Sequence, residues 1–196
     1  MKLIEIFDEL LNEGLNENNF DIDFIYKQHP ELASIGTKEE YSKYLKTIFP
    51  NSKVKDIVYH GTNAKEIEGG RLRLSKEGVY GEGIYVQTKS EFTGTFGANI
   101  MSLLIDTKKP YSFYDNNGKP NELWVEIRDK HEKTKKYYWA DLAKEEFRDI
   151  IIAQGYDSIM TEEGGDNKYY ILFKPEQTHL LGYEGDIEGF KNFLKK

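Results

Sequence analysis

Apolar positions recur at helical spacing in some stretches of the chain and gather in short, strand-like runs in others. In residues 3–13, Leu3, Phe7, Leu10 and Leu11 share one helical face, with Gly14 as the stop. Residues 20–26 alternate apolar and acidic side chains and fit either a short helix or a strand. Thr37 with Glu40 three positions on is a capping-box pattern; the helix it opens carries Tyr41, Tyr44, Leu45, Ile48 and Phe49 and ends at Pro50. Residues 54–60 then read as a strand, 64–70 as a short helix stopped by Gly69 and Gly70, and 71–74 as a strand edge. Strands are predicted over 84–86, 98–105, 156–160 and 169–173, and a short helix over 88–96. Residues 123–128 and 136–139 pair as a hairpin around a lysine-rich tip. Residues 141–154 form an amphipathic helix with Leu142, Phe147, Ile150 and Ile151 inward, closed by Gly155, and 187–194 a terminal helix. Strands outnumber long helices and do not alternate with them regularly, which predicts an α+β fold rather than a doubly wound sheet.

Composition narrows the class. A chain of 196 residues holds one domain with an extension, or two small domains. With 14 Tyr and 11 Phe, the core is expected to be aromatic with hydroxyls at its edge. No run approaches the ~20 apolar residues that span a membrane, and the acidic N-terminal stretch has no signal-peptide core. The chain has no cysteine, which excludes disulfides and thiolate metal sites and fits a cytoplasmic protein. Its four histidines, His29, His60, His131 and His179, show no metal-ligand spacing, so no metal is expected. A net charge of -7 argues against an open clamp on nucleic acid, which depends on Lys and Arg neutralising phosphates.

Two short segments carry the candidate chemistry. Val58-Tyr59-His60-Gly61-Thr62 delivers a histidine at a strand end, followed by a glycine that lets a ligand approach the backbone. Gly81-Glu82-Gly83-Ile84-Tyr85-Val86 is a glycine-loosened turn entering a strand whose tyrosine offers a flat wall to a planar ligand. Together they describe a cleft for a ring bearing an amide. The ordered set of Tyr59-His60-Gly61-Thr62, Gly83-Ile84-Tyr85, Gly155-Tyr156-Asp157 and the run from Tyr170 to Gln177 resembles the ADP-ribosyltransferase superfamily. The resemblance is to the histidine–tyrosine, diphtheria-toxin and poly(ADP-ribose) polymerase side, which includes small phage and bacterial members, and it covers roughly residues 55–182.

The resemblance implies a split, mainly antiparallel sheet with an NAD cleft between its halves. It makes residues 54–196 an ADP-ribosyltransferase-like catalytic domain and residues 1–53 a helical N-terminal extension packed on it, either completing the core or recognising substrate. His60 would hold a ribose hydroxyl, the Gly61 backbone the nicotinamide amide, and Tyr85 and Phe96 the pyridinium ring between them. Thr62 braces the turn or touches the ligand. Arg71 is placed to meet the pyrophosphate, or else lies on a solvated strand edge. The family's catalytic glutamate stands where this chain has Tyr169, eight residues before Gln177, or Lys168 with a slip of one; neither is an acid. That departure disfavours chain-forming polymerisation and points to single ADP-ribose units. Glu162 and Glu163, in the preceding loop, are candidate substitutes for the missing acid, or a solvated acidic turn. The expected function is mono-ADP-ribosyl transfer from NAD to a protein or nucleic-acid acceptor, in a phage or bacterial effector. The alternatives are a non-catalytic NAD or ADP-ribose binding module and an NAD glycohydrolase.

Overall fold

The computed structural model describes residues 19–63, 67, 70–76, 78–115, 117–132, 146–162 and 166–196. The helix expected over 3–13, most of that over 64–70, and the second hairpin arm at 136–139 lie outside these residues. In chain order the helices are α1 (Asn19–Gln28), α2 (Lys38–Leu45), α3 (Glu122–Glu132), α4 (Glu146–Ala153) and α5 (Glu184–Phe193). The strands are β1 (Val58–Thr62), β2 (Ile84–Gln87), β3 (Asn99–Ile105), β4 (Pro110–Ser112), β5 (Ser158–Glu162), β6 (Lys168–Leu172) and β7 (Thr178–Leu180). The described residues fall into two compact units, one from the chain up to Pro50 with Leu181–Lys196, the other Asn51–Leu180.

The described residues of the first unit are helical, α1, α2 and α5. Thr37 caps α2 as its sequence requires: its hydroxyl accepts from the Glu40 N–H, and the Glu40 carboxylate accepts from the Thr37 N–H at 2.8 Å. α2 buries Tyr41 and Tyr44 against Phe190 of α5, with ring centroids 5.1 and 5.6 Å apart. Asp186, 1% exposed, accepts from the Tyr41 hydroxyl at 2.5 Å and the Gly182 N–H at 2.8 Å. Burial, then the Asp186 carboxylate, raises the Tyr41 phenol far above its ordinary value, so it stays a donor.

The second unit carries a mixed α+β architecture on a seven-stranded sheet of order β4-β5-β6-β2-β1-β3-β7, antiparallel except for the β4–β5 pair. Its core is aromatic on one side. Tyr111, Phe113, Trp124 and Phe147 meet edge-on or stacked at 5.2–5.8 Å and pack with Ile151, Ile159, Ile171 and Phe173. Residues 123–128, expected as a hairpin arm, are the body of α3 instead. The alternation of Leu123, Val125 and Ile127 imitates a strand, but the Asn121 side chain accepts from the Leu123 N–H at 3.1 Å and starts a helix. Trp124 then becomes the buried anchor. The helix preceding Gly155 ends as expected, with Gly155 at φ 80° and the Tyr156 N–H reaching back to the Ile151 carbonyl. Residues 71–74 form no strand; only the bridge Ser75↔Gly83 marks that edge.

Among the described residues, no helix is long and apolar enough to cross a membrane, and no group of three or more His, Cys, Asp or Glu is placed to hold a metal ion.

Two polar residues lock the sheet from below. Gln177 uses its whole amide: Oε1 accepts from the Phe173 and Lys174 N–H groups, each at 3.0 Å, while Nε2 donates to the carbonyls of Asp106 (3.0 Å) and Asp157 (2.9 Å). The Asp157 carboxylate accepts from the Lys108 and Lys109 N–H groups and the Thr107 hydroxyl. Gln177→Ala strands four backbone groups at once. It is expected to lower stability by about 2–4 kcal/mol, read as a drop in the urea midpoint at unchanged slope.

Candidate functional site

The cleft arises where two strands part. β1 pairs with β3 at every position from Val58↔Leu103 to Thr62↔Asn99, and β2 pairs with β6 from Ile84↔Leu172 to Gln87↔Tyr169. β1 and β2 themselves meet at one register pair, Tyr59↔Gln87. Beyond it, His60 and Gly61 diverge from Val86 and Tyr85, and a cavity of about 290 Å3 opens there.

Strands that part leave ladder groups needing partners. The imidazole of His60 supplies one: its Nδ1 lies 2.8 Å from the Tyr85 carbonyl oxygen. A carbonyl only accepts, so Nδ1 carries the proton. Burial lowers the pKa of His60 below the ordinary imidazole value, against a smaller upward pull from that carbonyl. The ring is therefore neutral near pH 7, and Nε2, which has no partner among the described residues, is a lone-pair acceptor.

Below about pH 6.5 the unfolded histidine takes up a proton that the folded site resists. The stability contributed by the neutral ring is complete above that value and is lost as pH falls through the lower folded pKa. A ligand hydroxyl held by Nε2 is released in the same direction. Affinity for a ligand held in that way is thus expected to be flat from about pH 8 to 6.5 and to weaken below, as calorimetric titration across pH would show.

Tyr85 joins the core to the cleft. Its ring packs against the aromatic cluster, while its hydroxyl donates to the Gly81 carbonyl at 2.6 Å and accepts from the Tyr80 N–H at 2.9 Å. Burial pushes the phenol up to about 12. Gly78 is the residue on which the ring lies: a Cβ there would stand 1.9 Å from the Tyr85 oxygen. The Gly81-Glu82-Gly83 turn is pinned from α4, where Arg148 donates to Glu82 Oε2 at 2.9 Å and to the Phe173 carbonyl at 3.1 Å.

The structure brings four of the sequence-selected residues to one wall: His60, Gly61, Tyr85 and Tyr169 all line the cavity. Thr62 lies just past it, with Gly97 packed on its backbone. Arg71 is not among the lining residues; its exposed guanidinium sits 4.0 Å from Glu176. Glu162 pairs across the strands with Lys168 at 3.9 Å instead of lining the cavity. The side chain of Phe96, and Glu163 entirely, lie outside the described residues.

Sequence reasoning passed over Ser75, Val79, Gln87 and Thr93, which also line the cavity. Only Gln87 leaves a trace in the sequence, as a polar residue directly after Gly83-Ile84-Tyr85-Val86. It is 2% exposed and belongs to a buried polar ring. Its Nε2 donates to Thr93 Oγ1 at 2.7 Å, and its Oε1 accepts from Asn167 Nδ2 at 3.1 Å. Among the described residues lining the cavity there is no carboxylate, lysine or arginine.

The model of a family described as "ADP-Ribosyltransferase in polyvalent proteins" matches residues 55–179. No curated protein matches the chain. Among solved structures, one titled "Crystal structure of an anti-CRISPR protein" is similar with a TM-score of 0.40 and 16% identity, covering 64% of this chain and 93% of that one. A likeness of that size adds nothing to the family match.

Proposed function

The chain belongs to the family of ADP-ribosyltransferases found in polyvalent proteins, and from that premise we propose that it cleaves NAD and transfers a single ADP-ribose to a macromolecular acceptor. ADP-ribosyltransferases use NAD as their substrate. The observation that carries the reading is the His60 bridge: an imidazole held by Nδ1 on the Tyr85 carbonyl turns a lone pair toward hydrogen-bonding work at the place where β1 and β2 part.

In this reading the chain is of the histidine–tyrosine type. His60 Nε2 accepts from a ribose hydroxyl, Gly61 gives its peptide to the carboxamide, and Tyr85 lies against the pyridinium. The cavity, about 290 Å3, is near the lower end of ligand clefts, roughly 300–1,000 Å3. The nicotinamide–ribose end enters it and the adenosine end lies along the mouth. The C–N bond between ribose and nicotinamide breaks, nicotinamide leaves with the bonding pair, and the acceptor's nucleophile bonds to the ribose carbon and gives up its proton. The chain's contribution is to fix the ribose and shield the developing cation, which removes orientational cost from the barrier. Tyr169 lines the cavity; read as the residue in place of the family's acid, it fits addition of one unit. The acceptor is a protein or nucleic acid, and the setting a cytoplasmic effector of phage or bacterial origin.

One observation favours a second reading, a binding module for NAD or ADP-ribose: among the described residues lining the cavity there is no carboxylate, and Glu162 is paired with Lys168. Incubating the protein with NAD labelled on its adenylate, in cell lysate, separates the cases. Labelled macromolecules support transfer. Free ADP-ribose alone would mean glycohydrolase activity. Binding without turnover would leave the module, and absence of both overturns the proposal.

A further inference from the structure

The polar ring around Gln87 has a fixed direction. The backbone N–H of Lys89 can only donate, and it lies 3.2 Å from Asn167 Oδ1, which also accepts from the Thr88 hydroxyl. That settles which end of the Asn167 amide is oxygen. The other end, Nδ2, must donate to its neighbour, so the atom of Gln87 that faces it is Oε1. Gln87 Nε2 is thereby turned to Thr93, whose own hydroxyl donates to the Lys89 carbonyl. One Nε2 hydrogen is used on Thr93; the second has no acceptor among the described residues, and both Gln87 and Thr93 line the cavity. Asn167 and Gln87 are 1% and 2% exposed, so neither amide is free to turn over in water.

We propose that Gln87 is a specificity-determining residue: it presents an amide N–H to an acceptor atom on the ring-bearing end of the ligand, and Asn167 fixes which face of that amide is shown. The cleft then reads two features at once. His60 Nε2 accepts from a hydroxyl and Gln87 Nε2 donates to a carbonyl, a pairing met by a sugar joined to a ring that carries a carbonyl group. The inference rests on the reading of this cleft as the NAD site.

The test uses the full chain, NAD, and two ring probes of equal shape, 3-acetylpyridine and 3-isopropenylpyridine, which differ in having or lacking the carbonyl oxygen. Each probe competes against labelled NAD. The wild type is expected to favour the acetyl probe by about tenfold, the size of one hydrogen bond in a water-poor site. Asn167→Asp removes the donor that orients Gln87, so the amide turns its oxygen to the cleft and the preference falls to about twofold or reverses. Gln87→Glu removes the N–H itself and is expected to do the same. A purely structural role would weaken both probes together and leave their ratio intact. An unchanged ratio in either folded variant overturns the inference alone, because NAD still binds. A wild type that binds both probes equally overturns it without any variant. Failure of the wild type to bind NAD overturns the proposed function and this inference with it.

Discussion

His60→Ala is expected to lower NAD turnover by about 100-fold or more, the scale on which a misplaced substrate loses rate. Two losses coincide in this one change. The acceptor lone pair at Nε2 disappears, and so does the tether from Nδ1 to the Tyr85 carbonyl that bridges the parted strands. The stability change should be modest, about 1–2 kcal/mol for one half-buried hydrogen bond, so circular dichroism should report a folded chain with a slow enzyme. His60→Gln separates the two losses, since glutamine can supply a donor to the carbonyl without restoring a ring nitrogen. Wild-type turnover in folded His60→Ala would remove the cleft from consideration.

The second large effect is expected from a residue with no chemistry of its own. Gly97 follows the 3-10 segment Ser90–Phe96 and lies directly on β1, where a Cβ would stand 2.2 Å from the Thr62 carbonyl carbon and 2.5 Å from its nitrogen and oxygen. The obstacle is backbone, not the end of a movable side chain, so strand and segment must separate. Gly97→Ala is expected to destabilise by about 3 kcal/mol, the upper part of the overpacking range. It should also weaken NAD binding, because the strand end that moves carries His60 and Gly61. Urea unfolding and an NAD titration on one preparation would show both. A variant as stable as the wild type would mean that this wall gives way freely, against the contact described here.

What could be read in the sequence was whatever is coded by near neighbours. The Thr37–Glu40 box, the Gly155 stop and the strand starting at Ile84 each depend on residues a few positions apart, and each stands in the structure; the strand expected over 54–60 runs instead over Val58–Thr62, so His60 lies within it and not at its end. That Tyr169 joins His60, Gly61 and Tyr85 on one wall was legible only through resemblance, since no local rule joins β6 to β1 and β2. The residues that were missed depend on distant partners. Asn167 reaches Gln87 across 80 positions, and Gln177 reaches Asp106 across 71. A lone polar residue in a run looks the same whether it faces water or closes a buried ring. The error at residues 123–128 has a different origin. Both periodicities fit so short a segment, and the cap at Asn121 decided between them.

The bond between Tyr41 and Asp186 spans 145 positions inside the first unit. On the ribosome, α2 therefore emerges long before the carboxylate and the Phe190 ring that complete its surroundings. Its tyrosines must wait, solvated or provisionally packed, while the whole sheet is synthesised. A ribosome stalled just short of residue 186 would leave this unit without its keystone acid although all of Asn51–Leu180 has been synthesised.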